Sequence, residues 1–482
     1  MEKVKILFAS SEAAPFAKTG GLADVSRSLP KALSKLDADI RLVMPKYKCI
    51  PMEYTDVMQY VGYIYVDLGW RHQFCGIFKL DLDDRVVYFI DNEYYFKRDS
   101  LYGYPDEAER FTFFCKALLQ MLAIIDFKPV VIHCNDWQTG IVSLLLKSGF
   151  MGDYFSYGVK TVFTIHNLRY QGVFPKNVLQ ELIGLSWEYF QKDGVEFYDQ
   201  VNFMKAGLVY SDIITTVSRT YAEEIKQDFL GEHLNELLTR RSDCLYGILN
   251  GIDPGENDPS VDKRLFAVYD SENLDGKLKG KTGLQNLLGL EQNADIPLIG
   301  IISRLVDQKG FDLIAQVIDE LLAENLQLVV LGTGERRYEG MFQVIAADNP
   351  GKVSANICYD DTLAQRIYAG SDMFLMPSLF EPCGLGQLFS LRYGSVPIVR
   401  ETGGLNDTIK AWSEVTGEGN GFTFTNYNAH DMLHTIRRAL GFYRQKEVWA
   451  DIVRNCMKQD FSWNKSAQEY MELYARLTRR EA

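Results

Sequence analysis

Short, unbroken apolar runs rich in β-branched residues recur along this chain. Each is followed by a turn bearing Gly, Asn or Asp and then by a longer amphipathic stretch. VKILFAS (4–10), VVIHCND (130–136), KTVFTIHN (160–167) and DIITTVS (212–218) form one set. PLIGIISR (297–304), QLVVLGTG (327–334), ANICYDD (355–361), MFLMPS (373–378) and VPIVRET (396–402) form another. A strand apolar on both faces is covered on both faces, and the intervening helices supply parallel crossovers. The rhythm therefore predicts α/β architecture with doubly wound parallel sheets. Ligands in such sheets gather beyond the carboxyl ends of the strands, and the conspicuous polar clusters of this chain fall there.

The chain has 482 residues, more than one hydrophobic core usually organises, since single cores rarely grow past about 250–300 residues. Two Rossmann-like domains facing across a cleft are expected. Segment 250–283 is polar, rich in Gly and Asp and poor in strand signal, and it reads as the crossing between them. The expected divisions are 1–248, 249–455 and a closing helix within 456–482 that packs back across the domains.

With 51 Lys and Arg against 64 Asp and Glu, the net charge is −13. An acidic chain has no general pull on nucleic acid or on anionic lipid, so neither is an expected partner. A bound anion must be met by local cations and backbone N–H groups. The eight cysteines are scattered without a CxxC pair or zinc spacing, as suits reduced thiols in the cytoplasm. The N-terminus does not read as a signal peptide, and no stretch approaches the roughly 18 apolar residues of a membrane span.

The candidate chemistry lies in a few strings. In KTGGL (18–22), Gly20 and Gly21 let backbone N–H groups approach an anion, with Lys18 adding a charge. A tight strand-to-helix turn with a solvated lysine explains the same string equally well. In SRLVDQKGFD (303–312), Arg304 and Lys309 precede a helix whose dipole disfavours cations, which points to an anionic ligand such as a pyrophosphate. In SLFEPCGLGQL (378–388), a Pro- and Gly-rich turn aims Glu381 outward, although an acidic residue at a helix start is also favourable in its own right. HCNDW (133–137) and TIHNLRYQG (164–172) place His133, Asp136, His166 and Asn167 after apolar strands, as hydrogen-bonding partners for a polyhydroxyl ligand or as ordinary turn residues. GTGERR (332–337) is a glycine turn without the dinucleotide fingerprint. There is no GxSxG, HExxH or P-loop. The Tyr- and Phe-rich stretch 88–114 suits either the rings of a polyhydroxyl ligand or ordinary packing.

Taken in order, PFAKTGGLADV, HCNDW, TIHNLRYQG, NGID, SRLVDQKGFDL, EPCGLGQ and TGGLNDT resemble bacterial glycogen synthase and plant starch synthase across nearly the whole chain. The resemblance implies a retaining glycosyltransferase of the GT-B fold. It would move glucose from ADP-glucose to the non-reducing end of an α-1,4-glucan such as glycogen, with no metal and no cofactor. The N-terminal domain would face the acceptor and the C-terminal domain the nucleotide sugar. By the same resemblance, Lys18, Gly21 and Asp24 would lie near the donor, and Asp136, His166 and Asn167 near the glucose and acceptor. Asn250 would touch the sugar. Arg304 and Lys309 would bind pyrophosphate, and Tyr359 would stack on adenine. Glu381, Cys383, Gly384 and Leu385 would hold glucose and phosphate, with Thr402 and Gly403 beside the nucleotide. Catalysis would rest on His166, Arg304, Lys309 and Glu381. Gln138 stands where the family usually has histidine, and Asn135 is shared with the plant enzymes. The resemblance places the protein in the cytoplasm, or in the plastid stroma if the source is a plant or alga. Two other readings stand beside it: a related glucosyltransferase using UDP-glucose or another acceptor, and a glucan-binding protein without catalysis.

Overall fold

The structure is a computed structural model that describes residues 3–83, 85–152 and 158–478. Its contacts divide the chain into two units. The first runs to Asn250 and takes the chain back from Trp463, and the second is Gly251–Ser462.

The strands of the first unit are β1 (Val4–Ala9), β2 (Ala38–Pro45), β3 (Gln59–Leu68), β4 (Arg71–Leu82), β5 (Arg85–Asp91), β6 (Val131–Asn135), β7 (Lys160–Ile165), β8 (Val173–Pro175), β9 (Glu196–Phe197), β10 (Gln200–Asn202), β11 (Ile213–Thr216) and β12 (Leu245–Gly247). Nine of them form one sheet in the order β12-β11-β7-β6-β1-β2-β5-β4-β3. From β12 to β5 every pairing is parallel, whereas β4 and β3 run antiparallel at one edge. Burial follows from this. All five residues of β6 are buried, whereas β3 alternates between buried and exposed positions along its second half. Strands β8, β10 and β9 make a small separate sheet.

Helix Gly21–Leu33 buries Leu22, Val25, Leu29 and Leu33, a stripe at helical spacing, and each such leucine contributes roughly 1.5–3 kcal/mol. The terminal helix Trp463–Thr478 packs on it. There the Tyr474 hydroxyl meets His133 Nδ1 at 2.6 Å. The last residues of the expected closing helix, 479–482, lie outside the described residues.

The second unit carries β13 (Leu298–Ile302), β14 (Gln327–Leu331), β15 (Val353–Asn356), β16 (Met373–Met376), β17 (Val396–Arg400) and β18 (Phe422–Phe424). They form an all-parallel sheet in the order β15-β14-β13-β16-β17-β18. Each unit is thus a Rossmann-like doubly wound domain. Among the described residues, no helix is long and apolar enough to cross a membrane.

Candidate active site

In the first unit the site grows from three neighbouring strands, β7, β6 and β1. After β1 the chain turns through Glu12, whose side chain is buried. Its carboxylate accepts hydrogen bonds from the Thr19 N–H at 2.6 Å, the Thr19 hydroxyl at 2.8 Å and the Tyr102 hydroxyl at 3.0 Å. Burial raises the Glu12 pKa, and the hydrogen bonds from Thr19 oppose that rise. The KTGGL turn is therefore pinned at Thr19, while Lys18, Thr19 and Gly21 stay exposed. Lys18 Nζ lies 2.8 Å from Asp24 Oδ1 on the following helix.

At the end of β6, Asp136 has φ 55° and ψ 179°. A non-glycine residue held in that region costs on the order of 1–3 kcal/mol, and such residues cluster at functional sites. The conformation brings Asp136 Oδ1 within 2.8 Å of the His166 N–H at the end of β7. Burial pushes the Asp136 carboxyl up to about 7, against the pull of the His166 and Asn167 N–H groups. Asn135 Nδ2 donates to the Ala9 carbonyl on β1 at 3.0 Å, which turns Asn135 Oδ1 toward His166 Nε2 at 2.9 Å. Nε2 must therefore carry the proton. Burial lowers the imidazole to about 3, so the ring is neutral near pH 7. Among the described residues the His166 carbonyl accepts no hydrogen bond. Asn167 Oδ1 accepts the Arg169 N–H at 3.1 Å and shapes the next turn. An open hollow of about 490 Å³ follows, lined by Trp137, Arg169, Tyr170, Phe174, Glu232 and His233 among others. His133 does not join this group. It is buried, and its second ring nitrogen meets Thr164 Oγ1 at 2.6 Å.

The site of the second unit sits at the ends of β13, β16 and β17. Lys309 Nζ lies 2.6 Å from Glu381 Oε2, which also accepts the Ser378 hydroxyl at 3.0 Å. Both charged side chains are largely buried. Arg304, five residues before Lys309, is exposed and has no ion-pair partner among the described residues. The two loops are stitched together by Leu379 N–H to Gln308 O at 2.9 Å and Gln308 Nε2 to Phe380 O at 3.1 Å. Arg400 straps the far side, donating to the Ser378 carbonyl at 2.9 Å and to the Leu379 carbonyl. The GTG turn supports the Arg304 loop through Leu305 N–H to Thr333 O at 2.9 Å.

Cys383 is buried, and Gln387 Nε2 holds the carbonyls of Cys383 and Gly384 at 2.9 and 3.0 Å, just before Leu385. Thr402 and Gly403 are buried behind this turn. Tyr359, beyond β15, is 75% exposed, and Asn250 is buried at the end of the first unit. Each unit therefore gathers its candidates at strand ends, except Asn250. The supports the sequence reading passed over are Glu12, Tyr102, Ser378 and Arg400. Glu12 alone left a signal, as a charge among small and apolar neighbours.

Two Rossmann-like domains with such loops define a glycosyltransferase of GT-B architecture. A family model for "Starch synthase catalytic domain" matches residues 5–240, and one for "Glycosyl transferases group 1" matches residues 290–454. A glycogen synthase from Clostridium novyi (strain NT) is 57% identical over 98% of this chain and 99% of its own length. A glycogen synthase from Geobacillus thermodenitrificans (strain NG80-2) is 52% identical over 99% of each. The solved catalytic domain of starch synthase IV from Arabidopsis thaliana, bound to ADP and acarbose, is 34% identical with a TM-score of 0.92 and covers 100% of both chains. The chain belongs to the glycogen synthase and starch synthase family of glycosyltransferases.

Proposed function

We propose that this chain transfers glucose from ADP-glucose to the non-reducing end of an α-1,4-glucan with retention of configuration. The observation that carries the reading is the largely buried Lys309–Glu381 pair with Arg304, an exposed cation with no ion-pair partner among the described residues, on the same loop. Such a constellation in a chain of net charge −13 is built for a local anion. The ADP in the solved relative and the glycogen synthase activity of the relatives support ADP-glucose and glucan as this chain's substrates. The eight free thiols accord with a cytoplasmic enzyme.

The mechanism follows from charge. The bond between the anomeric carbon and the phosphate oxygen breaks, leaving positive character on the glucose and negative charge on ADP. Arg304 and Lys309 stabilise the departing pyrophosphate. Lys309 already faces Glu381, so one lysine can serve the phosphate while orienting the carboxylate that accepts glucose hydroxyls. The acceptor 4-hydroxyl attacks on the face from which ADP leaves and passes its proton to the leaving phosphate oxygen. The His166 carbonyl, which has no described donor, offers a lone pair to the cationic sugar. The neutral His166 ring adds no repelling charge. Lys18, Gly21 and Asp24 serve the donor, and Asp136, Asn167 and Asn250 the glucose. Gly384 and Leu385 offer backbone groups, Cys383, Thr402 and Gly403 shape that pocket, and Tyr359 offers a ring for adenine. The hollow beside Trp137 and Tyr170 suits the acceptor chain.

The test is incorporation of labelled glucose into glycogen, with ADP-glucose and UDP-glucose supplied separately. Incorporation from ADP-glucose, lost in folded Glu381→Ala, is the expected result. Incorporation from UDP-glucose alone would overturn the donor assignment.

A further inference from the structure

The last residue of β6, Asn135, is buried between two neighbouring strand ends. On one side β6 pairs with β1, and on the other with β7. A carboxamide buried in a sheet is costly unless both of its ends are partnered. Both are, and the two partners differ in kind. Nδ2 donates at 3.0 Å to the Ala9 carbonyl, which can only accept. That fixes which way the amide lies, so Oδ1 takes the proton on His166 Nε2 at 2.9 Å. The first bond serves the sheet. The second serves the ring alone, because Asp136 already holds the His166 backbone. His166 is half-buried. Its other ring nitrogen, Nδ1, meets no hydrogen-bond partner among the described residues and is not walled off in the core. A neutral imidazole carries one proton, so with Nε2 protonated Nδ1 presents a lone pair.

We infer that Asn135 is a positioning residue of the transfer reaction, fixing the His166 tautomer so that Nδ1 accepts a hydroxyl of the donor glucose. The inference rests on the proposed glucosyl transfer, in which the His166 carbonyl meets the same sugar. In this tautomer both groups that His166 offers the sugar are acceptors. The opposite tautomer would turn an N–H, with its positive end, toward a sugar that becomes cationic. The choice of asparagine follows from the same chemistry. A carboxylate at this position would hold Nε2–H as firmly, but it would favour the imidazolium and fill Nδ1 with a second proton. A hydroxyl or amide free to turn could present either a donor or an acceptor to the ring. An uncharged acceptor tied down by a backbone carbonyl sets one tautomer and adds no proton.

The experiment uses the full-length chain with nitrogen-15 in its six histidines, and His166→Gln identifies the His166 resonances. At neutral pH the wild-type ring should show Nε2 protonated and Nδ1 unprotonated. Adding ADP-glucose should shift the Nδ1 resonance, and adding ADP, which lacks the sugar, should not. Asn135→Leu should mix the two tautomers and lower kcat/KM for ADP-glucose by roughly ten- to a hundredfold. It should leave the inhibition constant of ADP unchanged. Asn135→Asp should keep the Nε2 proton, gain one at Nδ1 and lose kcat/KM as well, which a residue that merely holds the ring in place would not do. A wild-type ring protonated at Nδ1 would overturn the inference, and that reading needs no variant to fold. So would unchanged kcat/KM in folded Asn135→Leu, or an Nδ1 resonance that ADP shifts as much as ADP-glucose does. Should the chain use UDP-glucose instead, the proposed donor falls, while the same spectra with UDP-glucose and UDP still decide the role of Asn135.

Discussion

The string TGGL occurs at Thr19–Leu22 and again at Thr402–Leu405, each time between a parallel strand and a helix. The surroundings differ. A Cβ placed on Gly20 meets nothing within 4 Å, and the φ of Gly20, −159°, is extended backbone open to any residue. Gly403 has φ 44°, and a Cβ there would lie 2.0 Å from the Glu381 carbonyl oxygen. Gly404 is as tight against Cys383 O, also at 2.0 Å, and its N–H donates to Glu381 O at 3.1 Å. The second turn needs glycine because the EPCG loop lies on it. At Gly20 the first turn has no such need from the protein. One motif thus serves close packing in the second unit, while at Gly20 of the first it leaves room for a side chain.

The largest effect belongs to the charged pair that the second turn supports. Lys309→Ala should lower kcat/KM for ADP-glucose by roughly a hundred- to a thousandfold, the usual loss when one donor to developing charge is removed. Steady-state rates on protein with an unchanged melting midpoint check this. A loss under tenfold would detach the second turn from the chemistry.

Next comes the first turn itself. Gly20→Ala should lower kcat/KM for the donor by roughly ten- to a hundredfold, because a methyl group displaces a ligand that approaches the backbone closely. Unaltered kinetics would leave that turn as a plain strand-to-helix connection.

Glu12→Ala sharpens the same contrast by freeing the turn from its anchor. It takes the acceptor from the Thr19 N–H and hydroxyl and leaves the Tyr102 hydroxyl only Ser11, which should cost about 1–3 kcal/mol of stability in urea unfolding and weaken donor use as well. Stability lost without any change in donor KM would separate anchor from site.

A further effect is a pH dependence at Asp136. Its carboxyl is raised to about 7 in the folded chain, above the ordinary value of about 3.9 in the unfolded one. Between those values the folded state holds the extra proton, so this residue's contribution to stability falls as pH rises from about 4 to 7. Asp136→Asn keeps an oxygen for the His166 N–H and removes the titration. Its melting midpoint relative to wild type should therefore rise across that window. A difference that is flat with pH would contradict the burial-driven shift.

Much of this was legible in the sequence, and the misses have physical causes. Continuous apolar runs identified β1, β6, β7, β11, β13, β14, β16 and β17, because strands in a parallel sheet are covered on both faces. The same criterion passed over β3 and β4. Tyr63 and Tyr65 point out while Ile64 and Val66 point in, the alternation of an antiparallel edge. The run 355–361 read two residues late. The strand is Val353–Asn356, and Asp360 instead caps the next helix by accepting the Leu363 N–H. In stretch 88–114, the packing alternative describes Tyr95, Phe96, Phe111, Phe113 and Phe114, all fully buried. His133 reads as a ligand partner because it lies in an apolar strand that ends in polar residues, but Tyr474, far along the chain, takes its ring nitrogen. Glu12 stood out as a charge among small and apolar neighbours, but its partner did not, since Tyr102 lies 90 residues away. Such pairings exist only once the sheet has formed.

The most direct test is the equilibrium unfolding midpoint of Gly20→Ala and Gly403→Ala measured side by side. Gly20→Ala should match wild type to within about 0.5 kcal/mol. Gly403→Ala should lose at least about 1–3 kcal/mol from its backbone conformation alone. Equal losses in both, or a larger loss in Gly20→Ala, would contradict the division of roles between the two turns.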